Sequence, residues 1–368
     1  MIPFFEPLVM IENSEDLAKF DEIAKRLGLK GFVILGEKYS EKKNSKSPIE
    51  HISRLEIAQD QVNTVRATLP NLRLQCELLS IRTANEKVAQ WVVKDNRVDI
   101  LSIQSNKMKE IITIQLANVA AANETFFEID LSPLIKKSNK KSIYIRTITR
   151  IMNIISIEKA PFIFTIQAKS PYDLRDQRTM MALAKLVGVS EKQFKESQKA
   201  FFERIKKNVE KLSEDFVVPG VKKAVTKEKD ESVSSYEEEK INDYELSIDL
   251  VNVPINEKKM ERQRYLLFEI LSEKPIEITQ KQFEEYLWES FTNLFGSVGS
   301  SRAGLFIIKF NPEKNYGILR CSHLALNALR ASLATINQIN DIKVIIHIMK
   351  VSGTIKSLES ISIKKKRK

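Results

Sequence analysis

Few residues in this chain are suited to breaking bonds. It holds three histidines, His51, His323 and His347, and two cysteines, Cys76 and Cys321, and none of these forms the paired CxxC or HxxxH type of spacing that builds a structural metal site. The carboxylates that could converge at one end of a strand assembly are Glu6, Glu12, Asp99 and Asp130; a protein-only nuclease needs such groups to hold metals or move protons. A metal-dependent phosphoesterase barrel would place His-x-His after its first strand, where this chain reads EPLVMIENS. No catalytic residue and no metal ligand is assigned, and an intrinsic metal-dependent ribonuclease stands as the alternative reading. The abundant chemistry is cationic. Lys and Arg number 59 against 48 Asp and Glu, a net charge of +11. Residues 259–368 carry 18 basic and 10 acidic side chains, whereas 221–258 carry 6 and 10. A basic surface beside a polyanion gains free energy by releasing counterions, so nucleic acid is the first partner to consider. An anionic membrane is the second, but no segment approaches the ~20 apolar residues of a spanning helix. The start, MIPFFEPLVMIENSED, lacks the basic flank and cleavage pattern of a secretory signal. Two separated cysteines read as free thiols in a reducing compartment, so a cytoplasmic protein is expected.

The elements that must position these groups fall into two units. In the first ~215 residues, a length set by the change of composition that follows, short apolar runs alternate with amphipathic stretches. The runs are Phe5–Met10, Phe32–Leu35, Ile52–Ile57, Arg73–Leu79, Val98–Ile103, Phe126–Asp130 and Pro161–Ile166, the pattern of strands buried on both faces. Helices are predicted over Ser14–Gly28, Glu86–Lys94, Met108–Ala122, Ile143–Ile157, Arg178–Val187 and Glu191–Leu212. Alternation of this kind means parallel β/α units, and seven of them in so short a span favour a closed TIM-like barrel over an open doubly wound sheet. Residues 216–258, with the run KEKDESVSSYEEEK, read as an acidic flexible linker. Residues 259–360 order themselves β-α-β-β-α-β, which predicts a ferredoxin-like sandwich, and 361–368 form a basic tail. The chain is thus expected to be α/β in its first unit and α+β in its second.

Strand parity sorts the second sheet into two faces. Leu266, Phe268 and Ile270, with Phe306, Ile308, Phe310, Leu319, Cys321, Val344, Ile346 and Ile348, are all apolar and are expected to face the helices. The opposite face interleaves Tyr265, Leu267, Ile307, Ile318, Ile345 and Met349 with Lys309, Arg320 and His347. Leaving that many apolar side chains wet forgoes roughly 1.5–3 kcal/mol each, so these six are expected at an interface with a partner, with the other domain or with RNA. Only Tyr265 is an aromatic suited to base stacking there, so protein contact is the favoured use.

Phosphate contacts are expected from Arg262 and Arg264 at the entry of the second unit, Arg302 after the Gly299-Ser300-Ser301 turn, Lys309 and Arg320 on the mixed face, Lys356, and the tail residues Lys364, Lys365, Lys366, Arg367 and Lys368. A solvated side chain is the plainer reading for Arg262, Arg264 and the tail, a turn cap for Arg302, and an acidic partner residue the other candidate for Arg320. His323 is expected to start a helix capped by Ser322, as a structural residue. Arg175 and Arg178 fall just past the seventh strand, where βα loops build sites; they read either as barrel-mouth contacts or as ion pairs with Asp173 and Asp176.

The opening RYLLFEIL, the stretch WESFTNLFGSVGSSRAGLFIIKFNPEKNYGILRCSHLALNALRASLATI and the closing VSGTIKSL together resemble archaeal ribonuclease P protein component 2. Eukaryotic relatives of that family are subunits of nuclear ribonuclease P and its sister particle. RVDILS at 97–102, FFEIDLSPL at 126–134 and DLRDQRTMMALAKLVGVS at 173–190 resemble component 3, the TIM-barrel-like subunit. That family usually has a Ser/Gly-rich turn after its seventh strand, and here Gln167, Ala168 and Lys169 take its place. The resemblance implies a fused subunit of the particle that trims the 5′ end of precursor tRNA. It implies ribonuclease P RNA, precursor tRNA, other protein subunits and self-association through the two domains as partners, and no cofactor on the protein, with Mg²⁺ on the RNA. A protein-only assembly scaffold is a further alternative.

Overall fold

The computed structural model describes residues 3–11, 14–36, 47–136, 141–212, 216–218, 221–222 and 262–358. The first unit alternates β1 (Phe5–Val9), α1 (Ser14–Leu27), β2 (Gly31–Leu35), β3 (Glu50–Ala58), α2 (Val62–Arg73), β4 (Leu78–Thr83), α3 (Glu86–Val92) and β5 (Ile100–Ile103). It continues with α4 (Met108–Ile111), α5 (Ile114–Ala122), β6 (Phe126–Asp130), α6 (Ser132–Ile135), α7 (Lys141–Ile157), β7 (Phe162–Thr165), a 3-10 turn at Pro171–Asp173, α8 (Gln177–Leu186) and α9 (Glu191–Leu212). The seven strands lie in chain order, all parallel. The ring closes through a parallel bridge between Val9 and Ala168, with Met10 N donating to the Ala168 carbonyl at 2.8 Å and Ala168 N to Leu8 at 3.1 Å. The Gln167-Ala168-Lys169 segment therefore works as the closing stitch, and its entry bends through Gln167 at φ 51°.

Parity dictates what fills the barrel. Outward-facing Phe32, Leu79, Leu101, Phe127 and Phe164 pack under the helices. Inward-facing Phe5, Val33, Ile52, Leu78, Ile100, Phe126 and Ile163 form an apolar floor that Phe201 and Ile205 of α9 seal from below. Two boundaries differ from the expected ones. The fourth strand runs over 78–83 rather than 73–79, because Arg73 ends α2, a helix with Pro70 inside it that the apolar pattern did not announce. The helix expected over 108–122 breaks at Thr113, whose hydroxyl accepts from Leu116 N and starts α5 afresh.

Residues 216–218 (β8) and 221–222 (β9) form a two-stranded antiparallel ribbon inside the stretch expected to be linker. The remainder of that linker, 219–220 and 223–258, lies outside the described residues. The second unit comprises β10 (Gln263–Ser272), α10 (Gln280–Arg302), β11 (Phe306–Asn311), β12 (Tyr316–Ser322), α11 (Leu326–Thr335), β13 (Gln338–Ile339) and β14 (Ile342–Ser352). The sheet is antiparallel, in the order β11-β12-β10-β14-β13. Its helix-side core stacks Phe268, Phe283 and Phe310, with Leu287, Phe291, Leu329 and Leu333 around them. Gly317 is small of necessity, since a Cβ there would meet the Phe268 ring at 2.8 Å and the Lys309 carbonyl at 2.7 Å. Both expected folds are observed.

Candidate nucleic-acid interface and domain junction

The two units pack on each other, and the contact uses ions as well as apolar surface. Arg26, near the end of α1, grips Glu269 of β10 with Nε and Nη2 at 3.2 and 2.8 Å. Arg175, in the loop before α8, is 2% exposed. Its Nε and Nη2 donate to the Ala334 carbonyl at 3.2 and 3.1 Å, and its Nη1 donates to Tyr172 and Leu174. Ala334 lies in the last turn of α11, where the helix dipole favours a cation. Burial pushes the Arg175 guanidinium down to about 10, against Asp173 and Asp176 nearby. Leu271, Ala331, Ala334 and Ile345 merge with the apolar core of the barrel, and Asp176 stands 3.9 Å from His347.

This geometry corrects several expectations. Arg175 is spent on the junction and offers no mouth contact, whereas Arg178 beside it is exposed. Of the six apolar residues expected at an interface, Ile345 meets the other domain, as one of the alternatives had it, whereas Leu267 and Ile318 are covered by this unit's own Ile355 and Leu358, with Tyr265 and Met349 at the edge. Ile307 faces the helices instead, at 5% exposure, because β11 carries a bulge. Ile307 pairs with Leu319 and Lys309 with Ile318, so Ile308 is the extra residue and parity inverts before it. Phe306, expected under the helices, consequently points outward and is 56% exposed, and Ile308 leaves the helix side as well. The Gly299-Ser300-Ser301 segment is the final stretch of α10 rather than an open turn, with Gly299 and Ser300 buried, so its backbone N–H groups are not presented to a phosphate. Arg302 ends that helix and is half-buried. His323 precedes α11 rather than starting it; the helix is capped at Ala325 without a side-chain bond, and His323 N donates to the Arg262 carbonyl at 2.8 Å.

The structure does assemble several of the expected cations at one end of the sheet. Arg264 pairs in register with Cys321, Tyr265 with Arg320, and Arg320 with Phe306. The Arg320 guanidinium lies over the Phe306 ring, 5.2 Å from its centroid, and its Nε is shielded without a hydrogen-bond partner among the described residues. Arg262 and Lys309 are exposed nearby, and Lys356 is exposed on the turn that covers Leu267. Lys364, Lys365, Lys366, Arg367 and Lys368 lie outside the described residues. Reading alternation alone missed Phe306, since a bulge leaves no mark in the apolar pattern; the Gly304-Leu305 entry was the only local hint of irregular backbone.

The barrel mouth is occupied by its own side chains. Arg54, fully buried, donates to both Glu128 oxygens at 2.7 and 2.9 Å, to Ser80 and to the Pro7 carbonyl. Burial opposes charge on Glu128, yet Arg54 holds its carboxyl below the ordinary range. The carboxylates considered for catalysis do not converge. Asp99 lies at the α9 end, paired with Arg73 and Arg204. Asp130 accepts from Ser132 N and Oγ, and Glu6 accepts from Thr165 and Ile166 at the β1–β7 seam. Glu12 lies outside the described residues. Among the described residues no group of three or more His, Cys, Asp or Glu could hold a metal ion, and no helix is long and apolar enough to cross a membrane.

Comparison with known proteins is informative for each unit. A family model described as RNase P subunit p30 matches residues 10–213, and one described as the Rpp14/Pop5 family matches residues 264–363. Ribonuclease P protein component 2 of Pyrococcus horikoshii is 33% identical over 99 residues, 27% of this chain and 81% of that protein. Ribonuclease P protein component 3 of Halorubrum lacusprofundi is 24% identical over 178 residues, 48% of this chain and 72% of that protein. A chain in the cryo-EM structure of archaeal ribonuclease P with mature tRNA superposes with a TM-score of 0.50 at 18% identity, covering 62% of this chain and all of that one, a likeness of fold.

Proposed function

Since the chain belongs to the RNase P subunit p30 family through its barrel and to the Rpp14/Pop5 family through its sandwich, it is a protein subunit of ribonuclease P, and we propose that it unites two subunits' roles in stabilising the catalytic RNA for 5′ maturation of precursor tRNA. The observation that carries this reading is the junction. Arg26–Glu269 and Arg175–Ala334 bind the two units across 243 and 159 positions of one chain. A covalent tether raises the effective concentration of such partners to about the millimolar range, so the pair is held together at any dilution. The barrel, its mouth filled by Arg54 and Glu128, acts as a clamp. Hydrolysis falls to the RNA and its Mg²⁺. The exposed Lys and Arg side chains neutralise crowded phosphates, so the RNA holds its working shape at lower Mg²⁺. Other ribonuclease P proteins and further copies of this chain complete the particle, in the cytoplasm. If about six phosphates are neutralised, affinity for ribonuclease P RNA falls roughly 10³-fold between 50 and 200 mM salt. A salt titration of the full chain against that RNA checks this, and a flat response contradicts it.

A further inference from the structure

Resting on the reading that this chain contacts ribonuclease P RNA, we infer that Phe306, Arg320 and Tyr265 form a stacking platform that receives an unpaired nucleobase. The three side chains stand in one cross-strand row, on adjacent strands β11, β12 and β10, fixed by the pairs Phe306–Arg320 and Tyr265–Arg320. The bulge at Ile308 turns Phe306 to this face and leaves its ring 56% exposed. A large apolar ring kept in water forgoes the free energy of burial, and a nucleobase supplies a flat π face to cover it.

The charge around the ring selects the occupant. The Arg320 guanidinium already lies over Phe306 at 5.2 Å, so a base entering beside it meets an aromatic ring and a planar cation together, the surfaces on which splayed RNA bases stack. Its shielded Nε has no hydrogen-bond partner among the described residues, and a base-edge or phosphate oxygen would satisfy it. Arg262 is exposed at the same end of the sheet, and Lys309 is exposed on the same strand as Phe306, further toward the hairpin. The row holds no carboxylate; Glu269, two residues beyond Leu267 on β10, is committed to Arg26. A second copy of the chain pairing along β11 is disfavoured, because a bulge and an exposed lysine on an edge strand are devices that prevent edge-to-edge association.

The test uses the full chain and an in vitro transcript of the ribonuclease P RNA from the same organism, at fixed salt. Phe306→Ala lowers affinity by roughly ten- to a hundredfold while leaving the slope of affinity against salt unchanged, since no cation is lost. Phe306→Trp restores binding. Arg320→Lys, which keeps the charge and loses the plane, fails to bind at the wild-type level. Phe306→Ala that binds as wild type overturns the platform. So does a fall in oligomer mass by light scattering in Phe306→Ala with RNA affinity unchanged, which would make the ring a contact between copies. A wild-type chain that ignores the RNA overturns this inference and the function above together, whereas wild-type binding indifferent to Phe306→Ala overturns the inference alone.

Discussion

Glu6 shows how far one side chain can depart from its ordinary chemistry here. It is fully buried at the β1–β7 seam, with Oε1 bonded to Thr165 and Ile166 and Oε2 lacking a partner among the described residues. Burial pushes its carboxyl up from 4.5 to about 7. The folded chain thus keeps a proton that the unfolded chain has released, and stability falls as pH rises from the unfolded value to the folded one, by roughly 1.4 kcal/mol per pH unit. Glu6→Gln should flatten that fall, stabilising the protein at pH 8 and changing little at pH 4.5; denaturant midpoints at the two pH values measure it, and equal effects at both would contradict it. At the junction, Arg175→Ala leaves the Ala334, Tyr172 and Leu174 carbonyls without this donor, at a cost of about 1–3 kcal/mol for each that water cannot reach. Calorimetry should then resolve barrel and sandwich as separate transitions; an unchanged melting profile would contradict the role. Neither Arg26–Glu269 nor Arg175–Ala334 was legible in the sequence, because a pairing between positions so far apart leaves no periodicity. The apolar residues were legible, because burial selects their type wherever they stand.

Elements were read well where the chain alternates regularly and poorly where it departs from its own period. β1, β2, β6, β7, α1 and α9 stand close to their predicted bounds, since each is a clean apolar run or stripe closed by turn residues. β4 was displaced because its inward positions after Leu78 are Ser80 and Arg82, serving Arg54 and Glu56, and with Thr83 half of the strand reads as polar. The lumen ion pairs thus hid the strand that carries them. α10 departs in another way: its helix breaks at Gly296, with φ at 70°, and resumes to Arg302. With ψ at 178° the backbone there lies in a region essentially confined to Gly, and holding an L residue in it costs about 1–3 kcal/mol. Nothing lies within 4 Å of a Cβ built there, so Gly296→Ala tests backbone conformation without a clash. It should lower stability by about that amount, measured by chemical denaturation, and a neutral result would mean that the two helical segments can fuse.

The whole molecule is two family units held by one junction, and its charge is distributed to match. Phe201 and Ile205 of α9 close the barrel's floor, and Arg54 with Glu128 fills its interior toward the mouth. The sandwich and the residues after it carry the denser positive charge, and it presents Phe306, Arg320 and Arg262 at the end of the sheet away from the β11–β12 hairpin, with Lys309 exposed further along β11 toward that hairpin. Domain order and fold class were legible because they depend on composition and alternation, which are local. The placement of the cationic row was not, because it depends on the one-residue bulge in β11. The central claim is that this chain lets the RNA work with less magnesium. Its most direct test is precursor tRNA cleavage by a particle reconstituted with and without the chain, across a magnesium titration. The account predicts full activity at low Mg²⁺ only when the chain is present, with the difference vanishing at high Mg²⁺. Equal cleavage at low Mg²⁺ without the chain would contradict it.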